Sequence, residues 1–226
     1  MKVGPLPHGR GTVGGHIMPN AHEVQHPLIQ HHLAKLRDKM TPPDEFRRLI
    51  QRLASLLAYE ATRDLTTRSL EIETPLMRMA AQQLSQRIGL VPILRAGLGM
   101  VDPVLDLLPE AEVWHLGLYR DEATARPVEY YSKFPAHSPV DVALVLDPML
   151  ATGGSAIAAL QALQRWGVQK LKVLSVIAAP EGISNVAEAC PQAQVFVCAI
   201  DRELNSRKFI VPGLGDAGDR SFNTLP

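Results

Sequence analysis

The chain has 226 residues, 46% of them apolar, which is enough to bury a full core and a length that fits one domain. Lys plus Arg and Asp plus Glu stand at 23 each, so there is no general electrostatic pull toward nucleic acid or an anionic membrane, and no broad basic stretch supplies a local one. No apolar run reaches membrane-spanning length and the first residues lack the apolar stretch of a secretion signal, so a cytoplasmic protein is expected.

Residues 1–20 carry Gly4, Gly9, Gly11, Gly14, Gly15 and three prolines with almost no apolar periodicity, and they are predicted to be a disordered extension before a single domain over 21–226. His8, His16, His22, His26, His31 and His32 are irregularly spaced and lack acids or thiols nearby, which fits surface histidines better than a metal site. Pro42 and Pro43 precede an amphipathic helix over 44–65, with Phe46, Leu49, Ile50, Leu53, Leu56 and Leu57 on one face. A further helix is expected over Leu76–Arg87. Five short apolar runs follow, Ile88–Leu94, Val113–Leu118, Val142–Leu146, Val173–Ala178 and Val195–Ile200, alternating with helix-like segments. That alternation predicts an α/β fold, a mainly parallel sheet flanked by helices, with ligands at the carboxyl ends of the strands. Between Arg120 and Asp141 the polar chain, with Pro127, Pro135 and Pro139, reads as a protruding arm or hairpin. Cys190 and Cys198 show no Cys-x-x-Cys spacing and are expected to be reduced packing residues.

The segment 142–155 is the most informative. Val142–Leu146 alternates too little to be half-exposed and so reads as a strand buried on both faces, with Asp147 at its carboxyl end. From Ser155, the residues Ala156, Ile157, Leu160, Leu163 and Trp166 recur at helical spacing up to Gly167, a C-cap candidate. The turn between them therefore sits at a helix N-terminus, where unpaired N–H groups, the helix dipole and the hydroxyls of Thr152 and Ser155 suit a phosphate monoester. Gly153 and Gly154 allow close approach, and Asp147 is placed to accept hydrogen bonds from sugar hydroxyls. The spacing is neither Walker A nor Gly-x-Gly-x-x-Gly. A Gly-Gly turn alone is equally compatible with a plain strand-to-helix connection.

The string DPMLATGGS, Asp147–Ser155, resembles the phosphoribosyl-pyrophosphate (PRPP) loop of uracil phosphoribosyltransferases. VPILRAGLGM (Val91–Met100), GLYR (Gly117–Arg120), PGLGDAGD (Pro212–Asp219) and EVQHPLIQHHLAKLRD from Glu23 are similar to the same family, and together the resemblance covers about 22–226. It implies a type I phosphoribosyltransferase-like fold with a C-terminal base-binding loop, acting on uracil and PRPP to give UMP and diphosphate in pyrimidine salvage. It assigns the donor to Arg95, Arg120, Asp147, Pro148, Met149, Leu150, Ala151, Thr152, Gly153, Gly154, Ser155 and Asp216, and uracil to Ile210, Gly215, Asp216 and Ala217. Asp147, Arg120 and Asp216 are then the expected catalytic residues. It further implies a homo-oligomer, at least a dimer. Some members respond to GTP, although no segment here marks an effector site on physical grounds.

Ribosyl transfer breaks a C1–O bond, leaving a cation-like sugar and a leaving group that gains charge, so both ends need stabilisation. Arg95 and Arg120 each follow a strand-like run and are placed to spread the diphosphate charge. Related loops carry two adjacent acids, whereas Asp147 is followed by Pro148, so Mg2+ is expected to be held chiefly by PRPP oxygens and waters, with no direct protein ligand. Uracil offers an acceptor-donor-acceptor edge that the backbone of 210–219 can read. Cytosine would leave a buried donor unpaired, at a cost of about 1 to 3 kcal/mol. Ser221 and Asn223 depart from the family pattern, and Asn tolerates the left-handed backbone that the turn needs. Two other readings compete: an RNA-binding regulator on this fold, disfavoured by the balanced charge, and a purine phosphoribosyltransferase, disfavoured by GLGDAGD.

Overall fold

The structure, a computed structural model, describes residues 10–13, 16–120, 127–132, 134–135 and 138–224, with backbone alone at 10–19, 118–120 and 127–132. In chain order the first half comprises β1 (Arg10–Val13), β2 (His16–Glu23), α1 (Pro27–Arg37), α2 (Pro43–Ala61), β3 (Thr67–Glu73), β4 (Arg78–Leu84), β5 (Ile88–Pro92), a 3-10 turn (Ala96–Met100) and α3 (Val101–Leu107). The second half comprises β6 (Glu112–Val113), β7 (Leu116–Arg120), β8 (Pro127–Ser132), β9 (Val142–Leu146), β10 (Met149–Leu150), α4 (Gly154–Trp166), β11 (Lys170–Ala178), α5 (Pro180–Ala189), β12 (Gln194–Ile200), β13 (Glu203–Leu204), β14 (Ile210–Val211) and α6 (Ala217–Phe222).

Among the described residues the main sheet has eight strands: seven in the order β1-β2-β12-β11-β9-β5-β6, with β10 paired to β11. Every pairing is parallel except β1 with β2. Strand β9 lies inside this sheet, and its five residues are buried. Val142, Leu144 and Leu146 face a core layer formed with α1, α2 and α3, while Ala143 and Val145 face a second layer formed with α4 and α5. This two-sided burial explains why the run shows no polar alternation. Cys198 and Cys190 are buried and unbridged, one in each layer.

Helix α2 buries Phe46, Leu49, Ile50, Leu53 and Leu57 and ends at Ala61, four residues short of the expected limit, where Thr62 caps it. Its last turn receives an unusual support. Lys172, the third residue of β11 and 2% exposed, donates to Ala61 O at 2.5 Å and to Asp64, and lies over the Phe196 ring. A cation at a helix C-terminus satisfies orphan carbonyls and opposes the dipole.

The helix expected over Leu76–Arg87 is absent. Its place is taken by the antiparallel hairpin β3–β4, closed by a turn in which Thr74 N–H donates to Met77 O at 2.9 Å. Cross-strand pairing puts Leu70 opposite Ala81 and Ile72 opposite Met79 on one face, while the other face carries Ser69, Glu71, Glu73 and their partners. The apolar residues follow a period of two, which the Met-Ala-Ala composition disguised as helical.

The predicted run Val113–Leu118 is split between β6 and β7, and Leu116 bridges to Ile93 beyond the end of β5. The expected arm is the hairpin β7–β8. Phe134 and Trp166 stack at 4.8 Å and Trp114 packs edge-on against Trp166 at 5.6 Å, so the base of the arm rests on the end of α4.

Within 1–20, residues 1–9 and 14–15 lie outside the described residues. In the described backbone β1 pairs antiparallel with β2, and β2 runs parallel to β12 through Ala21–Glu23, inside the expected domain, with Ala21 opposite Val195. Main-chain pairing to an open sheet edge needs no apolar periodicity, which is why composition gave no sign of it.

Candidate active site

The phosphate-type turn is tied to the sheet before it reaches the helix. Asp147 N–H donates to Leu174 O at 3.2 Å, and Pro148 O accepts from Val176 and Ile177, both at 3.1 Å. Strand β10 then rejoins the sheet on β11, and Ala179 N–H donates to Leu150 O at 2.9 Å. Asn185 of α5 holds Thr152 O at 3.0 Å. Gly153 turns the chain into α4 at φ 81°, a conformation that glycine adopts without steric penalty. The first intrahelical bond runs from Ile157 N–H to Gly153 O at 2.8 Å. By helix geometry the N–H groups of Gly154, Ser155 and Ala156 then lack intrahelical acceptors, and all three residues line one cleft of about 330 Å³.

That cleft gathers Asp147, Met149, Leu150, Ala151, Thr152, Gly153, Gly154 and Ser155 from the turn with Asp216 and Ala217 from the C-terminal loop. Pro148 and Ile210 are buried behind it, Gly215 is exposed, and none of the three is on its wall. Arg95 follows a cis Leu94–Arg95 peptide, is exposed, and pairs with Asp219 at 3.1 Å. Arg120 ends β7, and its side chain lies outside the described residues. Sequence reasoning did not find Ala96, Lys208, Phe209 and Gly218, which also line the cleft. Lys208 and Phe209 arrive on the turn between β13 and β14, and no spacing relates that turn to the loop at 147–155.

Electrostatics single out Asp147. Burial pushes its carboxyl up to about 7, the nearby Asp216 carboxylate pushes the same way, and the Met149 N–H at 3.3 Å opposes both. Asp216 caps α6, accepting from Asp219 N–H at 2.9 Å.

The C-terminal loop is clamped from behind. Arg37 donates to both carboxylate oxygens of Asp201, at 2.6 and 2.8 Å, and to Gly213 O at 2.8 Å, while Gly213 N–H donates to Asp201 at 2.9 Å. Arg220 donates to Leu36 O, Leu214 O and Asp38 O at 2.6–2.8 Å and lies over the Phe46 ring. Asn223 takes the left-handed conformation, φ 56°, and its N–H bonds Asp219 O, while Ser221 is buried with its carbonyl held by Arg47 at 2.7 Å. The two departures in the tail therefore leave the turn intact.

The family model described as Uracil phosphoribosyltransferase matches residues 23–224. A uracil phosphoribosyltransferase of Roseiflexus castenholzii is 57% identical over 200 residues, covering 88% of this chain and 96% of that protein. One from Symbiobacterium thermophilum is 53% identical over 202 residues, covering 89% and 97%. Among solved structures, the AQ2163 protein from Aquifex aeolicus superposes with a TM-score of 0.85 at 36% identity, covering 89% of this chain and 97% of that one. Since the match runs through both walls of the cleft and nearly the full length of the relatives, this chain belongs to the uracil phosphoribosyltransferase family.

Proposed function

We propose that the protein transfers the phosphoribosyl group of PRPP to uracil, giving UMP and diphosphate in pyrimidine salvage. The observation that carries this is the single cleft whose walls are the α4 N-terminus with Thr152 and Ser155 on one side and Asp216–Ala217 on the other. The 5-phosphate sits on the free N–H groups and hydroxyls of 152–156, where the helix dipole favours a dianion. Asp147, ionised, accepts from the ribose hydroxyls and places a fixed negative charge beside the developing sugar cation. Uracil is read by the backbone of Ile210, Gly215 and Ala217, which the Arg37–Asp201 clamp holds in place, and Asp216 faces the donor. Arg95 and Arg120 spread the charge of the departing diphosphate.

Magnesium suits this cleft as a donor-bound ion. The acids on its wall are Asp147 and Asp216, and among the described residues no three His, Cys, Asp or Glu side chains gather into a ligand set. A hard cation that keeps its waters needs no more than donor oxygens plus a nearby carboxylate. When bound it neutralises charge on the diphosphate.

The protein works in the cytoplasm as a homo-oligomer of at least two copies. No helix among the described residues is long and apolar enough to cross a membrane. The β3–β4 hairpin supports self-association: Leu70, Ile72 and Met79 on its apolar face are 36–47% exposed, and an isolated two-stranded hairpin is marginally stable in water.

The test is turnover of labelled uracil with PRPP and magnesium, run beside cytosine and hypoxanthine. UMP formation with uracil alone is expected. A preference for hypoxanthine, or salt-dependent RNA binding without turnover, overturns the proposal.

A further inference from the structure

One cation stands on the wall of the cleft where the loop at 147–155 offers none. The string DPMLATGGS has no Lys or Arg, the wall carries the carboxylates of Asp147 and Asp216, and the Arg95 guanidinium is engaged with Asp219. Of the described residues that line the cleft, Lys208 alone is basic. Its backbone is in the left-handed region, φ 65°, which non-glycine side chains rarely adopt. The turn enforces this conformation. Asn205 Oδ1 accepts from Arg207 N–H at 2.9 Å and Phe209 N–H at 3.0 Å, Lys208 N–H donates to Asn205 O at 2.9 Å, and Asn205 N–H donates to Phe209 O at 2.9 Å. Leu204 N–H, bonded to Glu181 at 3.0 Å, ties the hairpin to α5, the helix that also holds Thr152. A residue with a Cβ at a position suited to glycine carries a backbone penalty, while its cationic side chain on a wall with two carboxylates is electrostatically favourable. An anion entering the cleft would meet this ammonium, the one basic side chain among the described wall residues.

Resting on the PRPP reading above, we propose that Lys208 is a binding residue for the 5-phosphate that PRPP and UMP share, supplying the cationic side chain that the main-chain cradle lacks. A charge-assisted contact from an exposed lysine adds affinity and is weakened by salt. It does not read the base.

The experiment uses the full chain with Lys208→Gly, Lys208→Met and Lys208→Arg, and measures UMP and diphosphate binding by calorimetry at two salt concentrations, with KM for PRPP and uracil and thermal midpoints. Expected are about five- to tenfold weaker UMP binding in the Gly and Met variants, with a shallower salt dependence. PRPP KM should rise alike, uracil KM should hold, and Arg should restore binding. Lys208→Gly should also melt higher than the parent while binding worse, a divergence that a purely structural lysine does not produce. UMP affinity within twofold of the parent in both Gly and Met variants, or a loss confined to diphosphate, overturns the assignment. Should the parent bind UMP yet fail to turn over uracil, the reaction is wrong while the Lys208 comparison still decides the contact. A parent that binds neither UMP nor PRPP overturns both.

Discussion

Arg37 and Asp201 form a two-pronged ion pair at 2.6 and 2.8 Å, and both members also bond the backbone of Gly213. The pair thus fixes, from a distance, the loop opposite the turn at 147–155. Asp201 is buried, so removing its charge leaves Arg37 without its partner. Asp201→Asn is expected to cost about 2 kcal/mol of stability and to raise KM for uracil about tenfold, with PRPP KM little changed. Denaturant melts and initial-rate kinetics read these separately, and equal rises in both KM values would argue against a specific role in the base loop.

Asp147 sets a pH dependence. With its carboxyl raised to about 7 by burial and then by Asp216, the free protein holds much of this group protonated at neutral pH. On the proposed reading the ionised form is the one that accepts from the ribose hydroxyls, so kcat/KM for PRPP should fall as pH drops through about 7 and level off above 8. The stability sign is opposite. A carboxyl whose folded value lies above its unfolded value of 3.8 favours the folded state at low pH, and that contribution is lost as pH rises from about 4 to 7. Asp147→Asn should therefore abolish most turnover yet melt higher than the parent at pH 8. A pH-rate profile flat between 6 and 8 would count against it.

Gly182 of α5 lies against the turn at 147–155 that is proposed to hold the 5-phosphate. A Cβ there would run into the carbonyl oxygens of Ala151 and Leu150, so Gly182→Ala must displace the loop. Overpacking of this kind costs about 1 to 3 kcal/mol, and a shift of about 1 Å at the cradle can cost about a hundredfold in rate. The expected outcome is a large loss in kcat/KM for PRPP with a smaller loss of stability. Unchanged PRPP kinetics would show that the cradle tolerates displacement.

The β3–β4 hairpin gives a prediction on assembly. Placing Glu at both Ile72 and Met79 puts two charges on its apolar face without touching the sheet core. Sedimentation is expected to show a shift toward monomer at micromolar concentration with the monomer fold retained by circular dichroism. Unaltered association in the double variant would move the interface elsewhere.

Much of the candidate site is legible in the sequence because the residues of its turn are consecutive along the chain. Asp147, Thr152, Gly153, Gly154 and Ser155 are consecutive on a strand-turn-helix, and the same chain order that builds the turn gathers the donors on one cleft wall. The strand β9 was legible for the same reason, since burial on both faces forces an unbroken apolar run. Strand β4 falls within the segment Leu76–Arg87 whose composition suggests a helix, because neither face of its hairpin packs on the core and no burial stripe marks its period. Lys208 and Phe209 were invisible because their link to the cleft is made by the packing of a separate hairpin.

By itself the sequence determined the alternating α/β order, the strand-turn-helix at 142–166 and the family, each carried by residues close together along the chain. Tertiary structure alone decided that Arg37 reaches Asp201 across 164 positions, that Lys172 caps the end of α2, that β2 extends the sheet and that Asp147 feels Asp216. Those outcomes depend on hydrogen bonds, burial and Coulomb interactions through space. Such terms are set by distance after packing, and a one-dimensional pattern carries no measure of it.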